Sequence, residues 1–267
     1  MAKQQALVTL LTDFGLQDGY VAAMKGVILT ACPRAQIEDI SHDIPAHDVL
    51  AAALVLEGAA PYFPPDTLHV VVVDPGVGTE RRILAGRFAG QAYLWPDNGV
   101  ISMIAERGPA EELVAVRNTD YLPHRTVPST FHGRDIFAPL AAHILNGVSI
   151  SRLGPQPDTY KLFDLPPCRQ EEQDIIGQVI YIDRFGNLVT NIPVLAVTQH
   201  WGDLDSVAAQ CGDKEAGTLH GAYGFVEPGQ PLVVFNSSGR VELAVNRGRA
   251  SDMYQAAVGT EVRLRGK

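Results

Sequence analysis

The sequence predicts an α/β fold in two parts: an N-terminal α/β domain over residues 1–164 and a smaller C-terminal β-barrel domain over 175–267. Three observations carry that expectation. Apolar strand-like runs alternate with helix-periodic stretches through the first part, the pattern of a largely parallel sheet covered by helices. The segment "LPPCRQEEQD", 165–174, is proline-bearing, charged and weakly periodic, and reads as a linker. Beyond it, "IIGQVIYID", "NLVTNI", "PLVVFN", "VELAV" and "TEVRLRG" are short strands separated by Gly, Asn and Pro, as in a small barrel or sandwich.

"QALVTLL" is a Val/Leu-rich run closed by Thr12 and Asp13, hence a buried strand. "DGYVAAMKGVILTACP" places Val21, Met24 and Ile28 on one helical face, and Pro33 stops it. "QIEDI" is a short strand, and an Ala/Leu-rich helix begins near Asp48. "LHVVVV" and "RILAGRF" follow as strands on either side of "DPGVGTER".

Composition narrows the function classes. The 267 residues suffice for one large or two ordinary domains, with 46% hydrophobic and 19% charged residues. A formal charge of −9 argues against binding nucleic acid, which needs a basic face. Cys32, Cys168 and Cys211 are far apart with no CxxC spacing, as expected of reduced thiols in a cytoplasmic protein. The first apolar run is short and interrupted by Asp13, so neither a signal peptide nor a membrane span is expected.

Two clusters carry chemistry. "VVVDPGVGTERR" ends a valine run on Asp74 and returns on Arg81 and Arg82. Were the flanking strands neighbours, about 5 Å apart, Asp74 and Arg81 would meet at the feet of one loop. A salt bridge closing a hairpin explains that stretch equally well, and with the strands parallel or separated the contact would depend on the shape of the loop. "TFHGRDIFAP" places His132 where a loop enters a helical pattern, a position α/β sheets give to ligands. In a third cluster, "TDFGLQDGY", Asp13 and Asp18 follow the first strand, and Asp18 is also a natural helix cap.

These stretches, with "PDNGVIS", "IDRFGNLVTNI" and "NSSGRVELAVNRGRA", resemble the S-adenosylmethionine hydroxide adenosyltransferase family, the adenosylmethionine hydrolases, relatives of fluorinating and chlorinating enzymes that use the same substrate. The resemblance covers nearly the whole chain with the motifs in order. It implies a Rossmann-like α/β domain followed by a β-barrel, and a homotrimer whose sites lie between subunits. It implies hydrolysis of S-adenosyl-L-methionine to adenosine and L-methionine, with no cofactor and no metal.

The same resemblance assigns the catalytic set to Asp74, Arg81 and His132, with Arg82 as the alternative to its neighbour. Asp13 would hold the ribose diol, Asp18 and Asp183 would face the cationic end of the methionine, and Phe185 and Asn187 would face adenine. Ser237 and Ser238 would receive the carboxylate. Ser238 stands where the halogenating relatives have arginine, and His47 where they have tryptophan.

The residue types suit the reaction. A sulfonium leaves as a neutral thioether, so the need is an oriented water, not an acid. Histidine, with an unperturbed pKa of about 6.5, is on paper a better base than a carboxylate paired with arginine. An ionised Asp74 would repel a halide by about 4 kcal/mol at contact and intermediate dielectric, and Gly133 lacks the hydroxyl found there in fluorinating relatives. Both favour hydrolysis over halogenation.

Three rivals remain at this level. A methyltransferase would show a glycine-rich first turn, whereas "TDFGLQDG" has only Gly15 and Gly19. A metal hydrolase would draw on His132, Asp135 and Asp74. A non-catalytic nucleoside-binding protein would keep the pocket without turnover.

Overall fold

In a computed structural model, residues 6–122, 130–204 and 206–266 are described, and the chain divides into two compact units, 1–163 and 164–267. The first unit runs β1 (Leu7–Thr12), α1 (Tyr20–Ala31), β2 (Gln36–Ser41), α2 (Val49–Ala59), β3 (Leu68–Val72), β4 (Ile83–Phe88), β5 (Gln91–Pro96), α3 (Ser102–Ala105), β6 (Glu112–Ala115) and α4 (Ala138–Leu145). Among the described residues its sheet has six strands in the order β2-β1-β3-β5-β4-β6. Pairs β1–β2, β1–β3 and β3–β5 are parallel, while β4 is antiparallel to β5 and to β6.

Side-chain spacing explains the packing. Val21, Met24 and Ile28 recur on one face of α1, and all three are buried. Met24 and Ile28 join Val8, Leu10, Val70 and Phe137 in one core cluster. Burying each such side chain contributes about 1.5–3 kcal/mol. Asp48 caps α2 by accepting the Ala51 amide at 2.9 Å. The N-cap of α1 is Gly19, without a side-chain cap bond, so Asp18 does not serve there.

The condition for a contact across a hairpin is not met. β3 and β4 are not neighbours, because β5 lies between them. "QAYLWP" is buried at all six positions, so it shows no alternation to mark it as a strand. It pairs with β4 through a tight turn in which Ala89 and Gly90 both have positive φ. Asp74 and Arg81 therefore meet through the shape of their loop, not across a hairpin.

Strand order also decides where a ligand can sit. From β1 the chain passes to β2 on one side and then to β3 on the other. The carboxyl ends of β1 and β3 thus flank a reversal point, where open α/β sheets leave a crevice. Asp13 follows β1 and Asp74 comes just after β3.

The second unit contains β7 (Arg169–Glu171), β8 (Asp174–Ile182), β9 (Leu188–Pro193), α5 (Val194–His200), β10 (Val207–Cys211), β11 (Lys214–Thr218), β12 (Pro231–Phe235), β13 (Arg240–Val245), α6 (Ala250–Tyr254) and β14 (Glu261–Gly266). Within 165–174, read as linker, Arg169–Glu171 pairs antiparallel with β8. The sheet order is β11-β10-β14-β8-β9-β13-β12. Its ends approach through a Leu219–Val233 bridge, with the His220 amide donating to Val233 O at 2.9 Å, so the sheet is nearly closed into a barrel around Val179, Ile192, Val241 and Leu264. Cys32, Cys168 and Cys211 are free thiols. Among the described residues no helix is long and apolar enough to cross a membrane.

Candidate active site

The loop after β3 is built by its own polar groups. Asp74 Oδ1 accepts the Gly76 amide at 3.0 Å, Thr79 Oγ1 donates to Gly76 O at 2.8 Å, and the Arg81 amide donates to Thr79 Oγ1 at 3.3 Å. A Cβ on Gly76 would lie 3.1 Å from Arg81 Cγ and 3.4 Å from Asp74 Oδ1, so glycine lets the two ends of the loop close. The result is an ion pair between Asp74 Oδ2 and Arg81 Nη2, with side chains 2% and 7% exposed.

Arg81 also reaches the second motif. Its Nη2 donates to His132 Nδ1 at 2.9 Å, and its guanidinium lies 5.8 Å from the centre of the Phe137 ring. Arginine has no acceptor, so Nδ1 must be the bare nitrogen and the neutral ring carries its proton on Nε2. The Nδ1 lone pair that would make His132 the better base is occupied by Arg81. His132 sits at the start of a π-helical turn, Gly133–Phe137, that leads into α4. Such single turns often mark functional positions.

The adjacent arginine points elsewhere. Arg82 Nε and Nη2 donate to Asp97 Oδ2 at 2.8 and 2.5 Å, and Nη2 also donates to Thr159 O at 2.7 Å. Asp97 Oδ1 takes the Lys161 amide at 2.7 Å. Arg81 contacts Asp74 and His132, whereas Arg82 ties "PDNGVIS" to the segment around residue 160.

Asp74 and His132 line a cavity of about 400 Å³ with Asp13, Phe14, Tyr20 and Phe131. Asp13 Oδ2 accepts the His47 amide at 2.9 Å. That holds His47 in a left-handed conformation, φ 67°, with an exposed side chain at the cavity rim. Beneath the wall, Thr12 Oγ1 bonds His42 Nδ1 at 2.8 Å and accepts the Phe14 amide at 3.3 Å. Asp18 is exposed and is not part of this lining.

Asp74 Oδ2 and His132 Nδ1 both face the Arg81 cation, so those two atoms are not presented to a metal. Asp135, the third member of the metal rival, is held by Arg134 at 2.7 and 2.9 Å. No group of three His, Cys, Asp or Glu able to hold a metal occurs among the described residues.

The second unit has its own pocket, of about 610 Å³, lined by Asp183, Phe185, Asn187, Tyr223, Arg247 and Arg249 among others. Asp183 accepts the Asn187 amide at 2.8 Å and its side-chain Nδ2 at 3.0 Å, which uses one of that nitrogen's two hydrogens. Phe185 is 72% exposed. Behind the wall, Tyr223 Oη donates to Glu242 Oε1 at 2.7 Å. Burial pushes the Glu242 carboxyl up, the Asp183 charge adds to this, and the Tyr223 bond works against it. Ser237 and Ser238 lie in the turn between β12 and β13 and stand outside this lining.

The aromatic group Phe14, Tyr20 and Phe131 is absent from the residues singled out in the sequence, although Phe14 and Phe131 directly adjoin Asp13 and His132. So are His42 and the Asp97 anchor. Adjacency to a motif was the available signal for the aromatics; His42 had none.

Comparison with known proteins now bears on this geometry. Residues 8–154 match the SAM hydroxide adenosyltransferase N-terminal domain, and residues 177–263 match the C-terminal domain of the same family. The chain belongs to the SAM hydroxide adenosyltransferase family. A relative from Salinispora tropica named (R)-S-adenosyl-L-methionine hydrolase is 36% identical over 260 residues, covering 96% of this chain and 97% of its own. A fluorinase from Nocardia brasiliensis is 26% identical over 300 residues, covering 98% and 97%. The solved structure of an uncharacterized conserved protein from Thermotoga maritima superposes with a TM-score of 0.90 at 37% identity, covering 97% of this chain and 99% of that one. Both units of this SAM hydroxide adenosyltransferase family member therefore fall within family models, and the Asp74 loop, His132 and the cavity between them lie in the N-terminal one.

Proposed function

We propose that the protein is a hydrolase that converts S-adenosyl-L-methionine to adenosine and L-methionine by attack of water at C5′ of the adenosyl group. The observation that carries this reading is that Asp74 and His132, on the wall of a ligand-sized cavity, are joined by the largely buried Arg81. Family membership supports it, as does a hydrolase relative more similar to this chain than the fluorinase.

The water oxygen bonds C5′ as the C5′–S bond breaks. The electron pair stays on sulfur, which leaves as the neutral thioether of methionine, and the water gives up one proton. Asp74 accepts a hydrogen bond from the water and aims its oxygen along the C–S axis. Arg81 holds both Asp74 and His132 in place, so His132 serves to orient more than to take a proton. Oxygen that has bonded to carbon is strongly acidic, so a weakly basic carboxylate suffices as acceptor. The reaction neutralises a sulfonium, which a water-poor pocket favours.

Halogenation fits less well. A Cβ on Gly133 would lie 2.9 Å from Phe131 and 3.0 Å from both Met24 and Phe14, leaving no room for a hydroxyl. Asp13 is proposed to hold the ribose diol, Asp18 and Asp183 the ammonium, Phe185 and Asn187 the adenine, and Ser237 and Ser238 the carboxylate. These groups are proposed to assemble between subunits of a homotrimer. The enzyme is proposed to be cytoplasmic, consistent with free thiols, and to need no metal, cofactor or nucleic acid.

The test is hydrolysis in heavy-oxygen water with a chelator present, followed by mass spectrometry of the nucleoside. Label in the 5′ hydroxyl of adenosine is expected. Formation of 5′-methylthioadenosine or a methylated acceptor, or loss of turnover on chelation, would overturn the reading.

A further inference from the structure

We infer that Phe14, Tyr20 and Phe131 form a cage for the sulfonium cation, and that this cage makes the pocket select the charged substrate over uncharged molecules of the same shape. The inference rests on the reading of this cavity as the site of adenosyl transfer to water.

Three rings pack against one another on the cavity wall. Their centroids are 6.0 Å apart for Phe14 and Tyr20, 5.4 Å for Phe14 and Phe131, and 5.1 Å for Tyr20 and Phe131. All three line the cavity that contains Asp74 and His132. Phe131 meets Phe14 and Tyr20 edge-to-face, at 71° and 79°, and Phe14 and Tyr20 are tilted at 57°, arrangements in which a ring turned to one neighbour keeps a π face for its surroundings. Tyr20 is 48% exposed, so the hydrophobic core does not account for its position.

The electrostatics favour a cation on these faces. Asp74 is paired with Arg81, and the bare His132 Nδ1 accepts from the same guanidinium, so neither adds a net charge to the wall. Asp13 supplies a carboxylate to the lining. The cluster already holds one cation, since the Arg134 guanidinium lies 5.2 Å from the centre of the Phe131 ring and is clamped by Asp135. Aromatic faces attract weakly hydrated cations through the ring quadrupole, and a sulfonium with three carbon substituents is such a cation. Once the C–S bond breaks the sulfur is neutral and the attraction ends, which favours release of methionine.

The experiment compares wild type, Tyr20→Leu, Phe14→Leu and Tyr20→Phe. It measures KM and kcat for S-adenosylmethionine, and the inhibition constant of an uncharged isostere with C–H in place of the sulfonium sulfur. The leucine variants are expected to raise KM about tenfold with kcat within about twofold, because the contact stabilises bound substrate at least as much as the transition state. The inhibition constant of the isostere should stay within about threefold, and Tyr20→Phe, which keeps the ring, should recover most of the affinity for S-adenosylmethionine that Tyr20→Leu loses. Parallel rises in KM and in the inhibition constant, or no change in either, would overturn the cage while leaving hydrolysis standing. Absence of turnover in wild type would overturn the hydrolase reading and the cage with it. Phe14 packs close to Gly133, so Tyr20→Leu, at a half-exposed position, keeps the comparison independent of folding.

Discussion

Replacing Asp74 by asparagine removes one charge and keeps the shape, and its contacts determine the consequence. Oδ1 accepts the Gly76 amide and Oδ2 meets Arg81. A carboxylate accepts on both sides, but a carboxamide has one oxygen, so one of those two donors must face an NH2 group. With the side chains 2% and 7% exposed, solvent cannot relieve that conflict or the unpaired guanidinium. Breaking a buried pair from one side costs about 3–5 kcal/mol. The double variant Asp74→Asn/Arg81→Met also removes the cation, so its loss should fall short of the sum of the singles by about 0.5–3 kcal/mol. Catalysis should not recover in parallel, because a carboxamide cannot take the proton that the water gives up; a fall of roughly 100- to 10,000-fold in kcat is expected in both variants. Urea midpoints with their slopes read the stability, and chromatographic release of adenosine reads the rate. Strict additivity of the stability losses, or an Asp74→Asn rate within about tenfold of wild type with the fold intact, would refute the reasoning.

Other consequences follow from neighbouring geometry. Gly133→Ala places a Cβ about 3 Å from three side chains, so thermal unfolding should show a loss of about 1–3 kcal/mol together with reduced turnover. Arg82→Gln removes charge-assisted bonds to Asp97 and should cost about 1.5–3 kcal/mol in urea unfolding, with KM and kcat unchanged because Arg82 does not reach the cavity. Burial lowers His69 from 6.5 to about 4, where it bonds Thr9 Oγ1 at 2.7 Å. The unfolded chain therefore binds a proton that the folded one refuses between those values. Stability from the neutral ring is full above pH 6.5 and declines as pH falls towards 4, by about 3 kcal/mol in all. Urea midpoints at several pH values should show that decline, and His69→Asn should flatten it.

Much of the fold could be read from local pattern. The face Val21, Met24 and Ile28 becomes the buried face of α1, and Asp48 caps α2 as its side chain allows. Both depend on neighbours within one or two turns. β5 could not be read the same way, because a strand buried on both faces has no period to reveal it. In the second unit β10 and β11 carry no clear strand pattern either, since "VAAQC" and "KEAGT" hold little apolar contrast.

At the site, local sequence specifies which chemical groups are present and near which element ends they stand: Asp13 after β1, Asp74 after β3, and His132 before α4. The folded chain settles that Arg81 and not Arg82 joins Asp74 to His132. It alone decided which histidine nitrogen is bare, that β5 separates β3 from β4, and that three aromatic rings share the cavity wall. The physical reason is range. Strand, helix and cap preferences are settled among residues a few positions apart, whereas the Arg81–His132 bond joins residues 51 positions apart and depends on loop shape and strand order.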